Sequence, residues 1–329
     1  MSDSRRCAIL LVSWNARDHL ARCLRALAAL DPPTAHEIIV VDNASNDGSA
    51  DMVATDFPAV HLLRADTNLG FAAAVNAGRS AATADALLLL NTDTEALPDS
   101  VDRLLTVLHA DASLGAVTGR LVDAVPDGVT GGATGGGTTD SDGERRVMPQ
   151  RDFHIRRFPT LTTWAVDLLL IDKLWPGNPE TRRYLARDLD PDRPADVEQP
   201  AAACLLIRTR LFDDLGGLDA GFHPAWFEDV DFCQRVARAG FRIRYEPSAV
   251  FVHRGGVAMD RLGLAAFSRI WYRNLTRYAR KHHGRTGAAS VTLLIVAGMC
   301  LRMAVSLLRG DRAALAAYAG VLAQTVRAR

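Results

Sequence analysis

Residues 86–93 read Ala86-Leu87-Leu88-Leu89-Leu90-Asn91-Thr92-Asp93, and this stretch decides the fold. Four consecutive leucines are too few for a helix and suit a strand buried on both faces. The run ends abruptly on Asn91, Thr92 and Asp93, short polar groups of the kind that hold a cation. In an open α/β sheet, ligands sit beyond the carboxyl ends of such strands. A second stretch, Trp226-Phe227-Glu228-Asp229-Val230-Asp231, packs three carboxylates into four residues just ahead of a helical pattern.

Working outward, the N-terminal third repeats one unit. Cys7–Ser13 is a continuous apolar run, hence a buried strand, closed by Trp14-Asn15. Leu20, Leu24 and Leu27 then recur at helical spacing until Asp31-Pro32-Pro33 stops the helix. Glu37–Val41 is the next strand, a short helix follows, and Val60–Arg64 is the third strand. This tempo implies right-handed crossovers and a mostly parallel central sheet flanked by helices, an α/β fold. Further on, Leu97-Pro98 predicts a helix through His109, and Leu114–Gly119 and Ala201–Arg208 predict strands. A helix over Phe232–Ala239 should stop at Gly240, with a strand from Phe241 to Tyr245.

Composition narrows the classes. Of 329 residues, 48% are apolar and 23% charged, as in a soluble globular protein. Acids and bases balance at 38 each, which gives no sign of a nucleic-acid partner. The last seventy residues, by contrast, are rich in Arg and poor in acid. The five cysteines are scattered and odd in number, with no CxxC pair. That fits a reducing, cytoplasmic compartment better than a disulfide framework or a zinc site. The first strand begins within a few residues of Met1, leaving no room there for a signal peptide.

Individual residues admit two readings. Asp42, after the second strand, suits an Asx turn or helix cap, or a carboxylate accepting the N3–H of a uracil or thymine ring. Gly70, at a helix start, allows a ligand or a backbone to approach closely, and the helix start itself favours phosphate. Neither a P-loop nor a GxGxxG pattern is present. Cys204 reads as a small buried residue rather than a nucleophile. Trp164 and Trp175 could stack on a sugar, although core packing explains each of them more simply.

Taken in order, the motifs resemble glycosyltransferase family 2, whose members have the GT-A fold. They are Val41-Asp42-Asn43-Ala44-Ser45-Asn46-Asp47-Gly48-Ser49, Asn68-Leu69-Gly70-Phe71 with Asn76, and Asn91-Thr92-Asp93. Cys204-Leu205-Leu206-Ile207-Arg208, Gly216-Gly217-Leu218-Asp219, Glu228-Asp229-Val230-Asp231 with Arg235 and Gly240, and His253 complete the set. The match spans roughly residues 7–256. Within the family, the chain looks most like bacterial rhamnosyltransferases of cell-wall and O-antigen assembly, and Leu174-Trp175-Pro176-Gly177-Asn178-Pro179 is similar to those acting on polyprenyl-diphosphate-linked GlcNAc.

The resemblance implies a site. Ser13, Asn15, Asp42, Asn43, Asn68, Gly70, Phe71, Asn76, Asn91 and Thr92 would bind the donor nucleotide. Asp93 and His253 would hold Mg²⁺ or Mn²⁺ on its diphosphate, because a hard cation held by few protein oxygens leaves room for phosphate and water. The family's metal motif usually has Asp at both ends, so Asn91 is a departure and is expected to contact only the nucleotide. Asp229 would be the base of an inverting transfer, with Glu228 contacting the acceptor or orienting the base. The implied donor is dTDP-rhamnose or a UDP-sugar. The implied acceptor is a glycan or a polyprenyl-diphosphate-linked glycan. Asn91 also leaves room for a catalytically idle sugar-nucleotide-binding scaffold.

The expected organisation is a GT-A domain over 1–258, with a flexible glycine-rich loop at 127–144 and an acceptor-side insert at 145–200. A basic C-terminal helical extension follows over 259–329. Leu262–His283 reads as a helix with Arg269, Arg273, Arg277 and Arg280 along one face. Ala288–Leu301 is apolar, and Arg302 and Arg309, seven apart, share a face there. This favours an amphipathic helix peripheral to the inner membrane face, or a homodimer interface.

Overall fold

The computed structural model describes residues 7–30, 36–123, 154–254 and 262–327. The expected loop at 127–144, the Asp31-Pro32-Pro33 stop and the 258/259 boundary lie outside the described residues. At the centre is a nine-stranded sheet ordered β3-β2-β1-β4-β10-β6-β11-β5, with β8 pairing β11 off this path. Its strands are β1 (Cys7–Ser13), β2 (His36–Asp42), β3 (His61–Arg64), β4 (Ala86–Leu90), β5 (Thr94–Ala96), β6 (Leu114–Asp123), β8 (Ala195–Val197), β10 (Cys204–Arg208) and β11 (Arg242–His253). Strands β7 (Ile155–Arg156) and β9 (Gln199–Pro200) pair separately. β1, β2, β3 and β4 run parallel, β10 enters antiparallel, and β6 and β11 resume the first direction. The sheet is therefore mixed but mostly parallel, as the strand–helix tempo predicted.

The leucine run behaves as its chemistry requires. Leu88 and Leu90 enter one core with Leu20, Leu24 and Leu27 of α1 (Arg17–Ala28) and Leu104, Leu105 and Leu108 of α4 (Ser100–Ala110). That core also takes Met52 and Val53 of α2 (Ser49–Asp56). Leu87 and Leu89 enter the opposite core with Ala72 and Val75 of α3 (Phe71–Arg79). Helices on both faces and short strand-to-helix links leave the strand ends open to a ligand. The strand order reverses between β1 and β4, so Asn15 and Asn91 leave the sheet on either side of a topological switch point.

Some elements differ from expectation. After Asp93 the chain forms β5 rather than running to a helix at Leu97-Pro98, and α4 begins only at Ser100. Pairing with Phe251–His253 makes this three-residue strand, which has no propensity signal of its own. The expected strand at Ala201 starts at Cys204, because Ala201–Ala203 turn off β9. Residues 161–184 carry α5 (Leu161–Leu168), α6 (Ile171–Leu174) and α7 (Pro179–Tyr184). α8 (Thr209–Asp214) follows β10, and α9 starts at Glu228 rather than Phe232, running to Arg238 ahead of Gly240.

The C-terminal region is α10 (Gly263–Arg309), broken at Gly284 with φ 70°, and α11 (Arg312–Arg327). It shares a third core with Trp164, Leu168, Phe222, Phe227 and Val230. Trp164 thus packs in a core, edge-on to Tyr278 at 5.9 Å. Arg269, Arg273, Arg277 and Arg280 are exposed on α10, as their spacing predicted, and two of them also reach neighbouring segments. Arg273 donates to the His223 carbonyl, and Arg277 pairs with Asp219 at 2.8 Å. Arg302, expected on an exposed amphipathic face, donates to the Leu168 and Asp167 carbonyls at 2.5 and 3.1 Å, capping α5.

Candidate active site

On the β1–β2 side, parallel register sets Ser13 opposite Asp42. Both side chains are buried, and Ser13 Oγ and Asp42 Oδ1 have no hydrogen-bond partner among the described residues. The other carboxylate oxygen of Asp42 accepts from the Ser45 N–H at 3.1 Å, an Asx turn. One carboxylate oxygen of Asp42 thus shapes the turn, and the other is buried without a partner among the described residues. Asn15, at φ 52°, donates its N–H to Ser45 Oγ at 2.9 Å and accepts from the Asn46 N–H at 2.7 Å. These bonds tie the loop after β1 to the loop after β2.

Asn43 reaches the third loop. Its amide donates to Asn68 Oδ1 at 3.1 Å, and its carbonyl oxygen accepts from the Leu69 N–H at 2.8 Å. Gly70 has φ 79°, and a Cβ there would lie 2.8 Å from the His223 ring and 2.9 Å from the Pro224 carbonyl. Here the close approach is made by protein backbone, since the Phe71 N–H donates to Pro224 O at 2.6 Å. Asn76 is not brought to this group. Its amide donates to Leu218 O at 2.8 Å and accepts from the Leu218 N–H at 2.9 Å, latching α3 to the Gly216–Leu218 turn.

At the β4 end, Asn91, Thr92 and Asp93 form the turn into β5. Because β5 pairs with the last residues of β11, with Thr94 opposite His253, the chain brings Asp93 Oδ1 within 3.3 Å of His253 Nε2. Burial pushes the Asp93 carboxyl up, but the hydrogen bond and charge of His253 outweigh it and hold the group below its ordinary range. Among the described residues, no three His, Cys, Asp or Glu side chains converge to cage a metal. Asp93 and His253 fit a cation that takes its remaining ligands from phosphate and water.

Asp229 stands one turn segment away from this strand end. Asn91 N–H donates to Ala203 O at 3.1 Å, and the neighbouring Ala202 N–H donates to Asp229 Oδ2 at 3.4 Å. Ala202 and Ala203 are buried, and their small side chains let both contacts form. Asp229 Oδ1 accepts from the Val230 N–H at 2.8 Å. Burial raises the Asp229 carboxyl above its ordinary value, against those backbone hydrogen bonds. Glu228 is buried too, with Oε2 unpartnered among the described residues. Burial, reinforced by the Asp229 charge, drives its pKa well up. Asp231 has a different part. Fully buried, it holds Arg235 at 2.9 Å and Lys281 and His282 of α10 at 2.7 Å each.

The glycosyl transferase family 2 model matches residues 8–164. A curated relative, the N-acetylglucosaminyl-diphospho-decaprenol L-rhamnosyltransferase of Mycobacterium tuberculosis, is 31% identical over 258 residues, 74% of this chain and 75% of the relative. The chain belongs to glycosyl transferase family 2. This transferase is also similar to the pre-mycofactocin glycosyltransferase of M. tuberculosis, 29% identical over 66% of the chain and 37% of that protein. Two solved structures share its GT-A fold. One is a mannosyltransferase from Pyrobaculum calidifontis in complex with GDP-Man and Mn2+, with TM-score 0.53 and 17% identity over 98% of this chain and 76% of that one. The other is S. aureus TarS in complex with UDP-GlcNAc, with TM-score 0.54 and 14% identity over 98% and 81%.

Sequence reasoning missed two residues of this region. Asn274 of α10 donates to the Ala225 and Trp226 carbonyls just ahead of Glu228, at 2.8 and 3.2 Å. Arg156 of β7 lies close enough to Asp229 for its charge to lower that carboxyl. A polar Asn between Trp271 and Leu275, on the apolar side of a helix, was the available signal for the first.

Proposed function

We propose that this glycosyltransferase catalyses an inverting, metal-dependent transfer of a sugar, rhamnose from dTDP-rhamnose, to a hydroxyl of a polyprenyl-diphosphate-linked glycan. The observation that carries the reading is the Asn91–Ala203 and Ala202–Asp229 pair of hydrogen bonds, which ties a carboxylate to the strand end bearing Asp93. The printed name of the mycobacterial relative supports the sugar and the lipid-linked acceptor. The unpartnered Asp42 oxygen suits the N3–H of a thymine or uracil ring, with Ser13, Asn15, Asn43 and Asn68 shaping the loops around the nucleoside. Asn91 and Thr92 would contact the ribose and phosphate of the donor.

Asp93 and His253 would hold Mg²⁺ or Mn²⁺, which would neutralise diphosphate charge as the glycosidic bond weakens. Asp229 takes the proton of the acceptor hydroxyl. The acceptor oxygen bonds to the anomeric carbon from the face opposite the diphosphate, which leaves with the bonding electron pair. Glu228, whose carboxyl burial raises well above its ordinary value, would contact the acceptor or orient Asp229. Residues 262–327 carry ten Arg and Lys against one acid, Asp311. Leu293, Leu301, Leu307 and Leu308 are exposed on the second half of α10, beside Arg309. Such a face suits peripheral contact with an anionic membrane that carries the acceptor.

The test is transfer by the full chain from a panel of nucleotide sugars, with and without Mn²⁺ or Mg²⁺. Metal-dependent transfer from dTDP-rhamnose, lost in Asp229→Asn, is expected. Transfer from another donor would overturn the sugar, and undiminished turnover in Asp229→Asn would overturn the base.

A further inference from the structure

The segment that delivers Asp229 is strained. Trp226 and Phe227 are consecutive bulky residues with φ of 75° and 76°, a region that side chains with a Cβ rarely occupy. Phe227 caps α9, and its carbonyl accepts from the Asp231 N–H at 2.9 Å. The direction in which Glu228 and Asp229 leave the loop therefore depends on this left-handed pair. Such a conformation persists only where surrounding contacts over-determine it.

Those contacts come almost wholly from α10. Asn274, fully buried, places the two hydrogens of one amide nitrogen on the consecutive carbonyls of Ala225 and Trp226. Its own carbonyl oxygen accepts from Arg273 Nε at 3.4 Å, and Arg273 also donates to His223 O. The Trp226 ring is edge-on to Phe267 at 4.9 Å, and the Phe227 ring lies 4.9 Å from Trp271 and 5.7 Å from Tyr278. On the other side, the Phe71 N–H holds Pro224 O, so the same loop is fastened to the start of α3. Asp231, held by Lys281 and His282, pins the next turn of α9 to the same helix.

We infer that Asn274 is a positioning residue for the transfer, holding the Ala225–Phe227 backbone in the strained form that sets Asp229 against the acceptor hydroxyl. The inference rests on the reading of Asp229 as the base. It gives α10 a part in the chemistry that an exposed basic helix would not have. Among uncharged side chains, only an amide carries two N–H groups on one nitrogen and so can serve both carbonyls. Leucine, branched alike at Cγ but larger, cannot donate, and glutamine keeps the amide on a longer arm.

The test uses the full chain, with Asn274→Leu, Asn274→Gln and Asp229→Asn measured side by side. The readouts are kcat for transfer, KM for the sugar nucleotide, and the Mn²⁺-dependent affinity for the nucleoside diphosphate. In Asn274→Leu, kcat should fall about 100-fold, the scale of a small misplacement of a reacting group. KM and nucleotide affinity should stay within about twofold, because the donor side is untouched. Asn274→Gln should recover most of the loss. The inference is overturned if the Leu variant turns over like wild type. Equal rates in the Leu and Gln variants, or a joint fall of kcat and nucleotide affinity in the Leu variant, would overturn it too, the latter marking a general loss of structure. An active Asp229→Asn would instead overturn the base itself.

Discussion

The two halves of the candidate site are built in opposite ways. On the donor side, three loops that follow β1, β2 and β3 fasten to one another through their own short polar side chains, Asn15 to Asn46 and Asn43 to Asn68. Each bond joins residues about thirty positions apart or fewer, and oxygens of Ser13 and Asp42 remain without a partner among the described residues. On the acceptor side, the loop before Asp229 makes no such closed set. A helix some fifty residues later holds its carbonyls, and its backbone is strained. The polar loops at the strand ends support one another, whereas the loop before Asp229 takes its support from the far end of the chain.

That contrast can be broken by experiment. The largest expected effect is from Asp93→Ala or chelation of the metal. Either should remove Mn²⁺-dependent nucleoside diphosphate binding by about 100-fold or more in a titration, since a metal adds several kcal/mol of charge stabilisation. Retained affinity would detach Asp93 from the donor half. Next is Leu88→Ala, which opens a cavity in the core under both halves. It should cost about 2–5 kcal/mol in denaturant unfolding, with loss of both binding and turnover in proportion to unfolded protein. Arg302→Ala leaves two α5 carbonyls without their charged donor and should cost about 1–3 kcal/mol. It should leave nucleotide affinity unchanged.

Acidification sharpens the comparison. Burial raises the Asp219 carboxyl, but Lys281, the Gly221 N–H and Arg277 bring it down to about 2. Its folded value lies below the ordinary value of about 3.9, so the stabilisation is present above that value. It is lost as pH falls from about 4 toward about 2. Thermal unfolding of wild type should lose stability in that window more steeply than Asp219→Asn, because this pair holds α10 to the sheet domain. The raised Asp229 carboxyl predicts that transfer rises with pH through a value above the ordinary aspartate range.

The same contrast explains what was legible in the sequence. Cys7–Ser13 and Leu87–Leu90 announce buried strands by composition, and the polar residues after them announce the site. β5 could not be read, because Thr94-Glu95-Ala96 becomes a strand only by pairing with residues some 150 positions later. The 3.3 Å approach of His253 to Asp93 depends on that pairing and followed only from resemblance. Asn76 sits in the right motif but latches Leu218, since an amide on a helix serves whichever backbone packs against it. Arg273 and Arg277 are exposed, as their spacing suggested, but their bonds to His223 and Asp219, and the reach of Arg302 to the end of α5, are contacts that periodicity does not report.

The central claim is a division of labour between Asp93 and Asp229. Isothermal titration of Mn²⁺ and nucleoside diphosphate into Asp93→Asn and Asp229→Asn, paired with single-turnover transfer rates, tests it most directly. Asp229→Asn should bind as wild type does and transfer about 10²–10⁴-fold more slowly, while Asp93→Asn should fail to bind. Wild-type transfer by Asp229→Asn, or equal loss of nucleotide binding in both variants, would contradict the account.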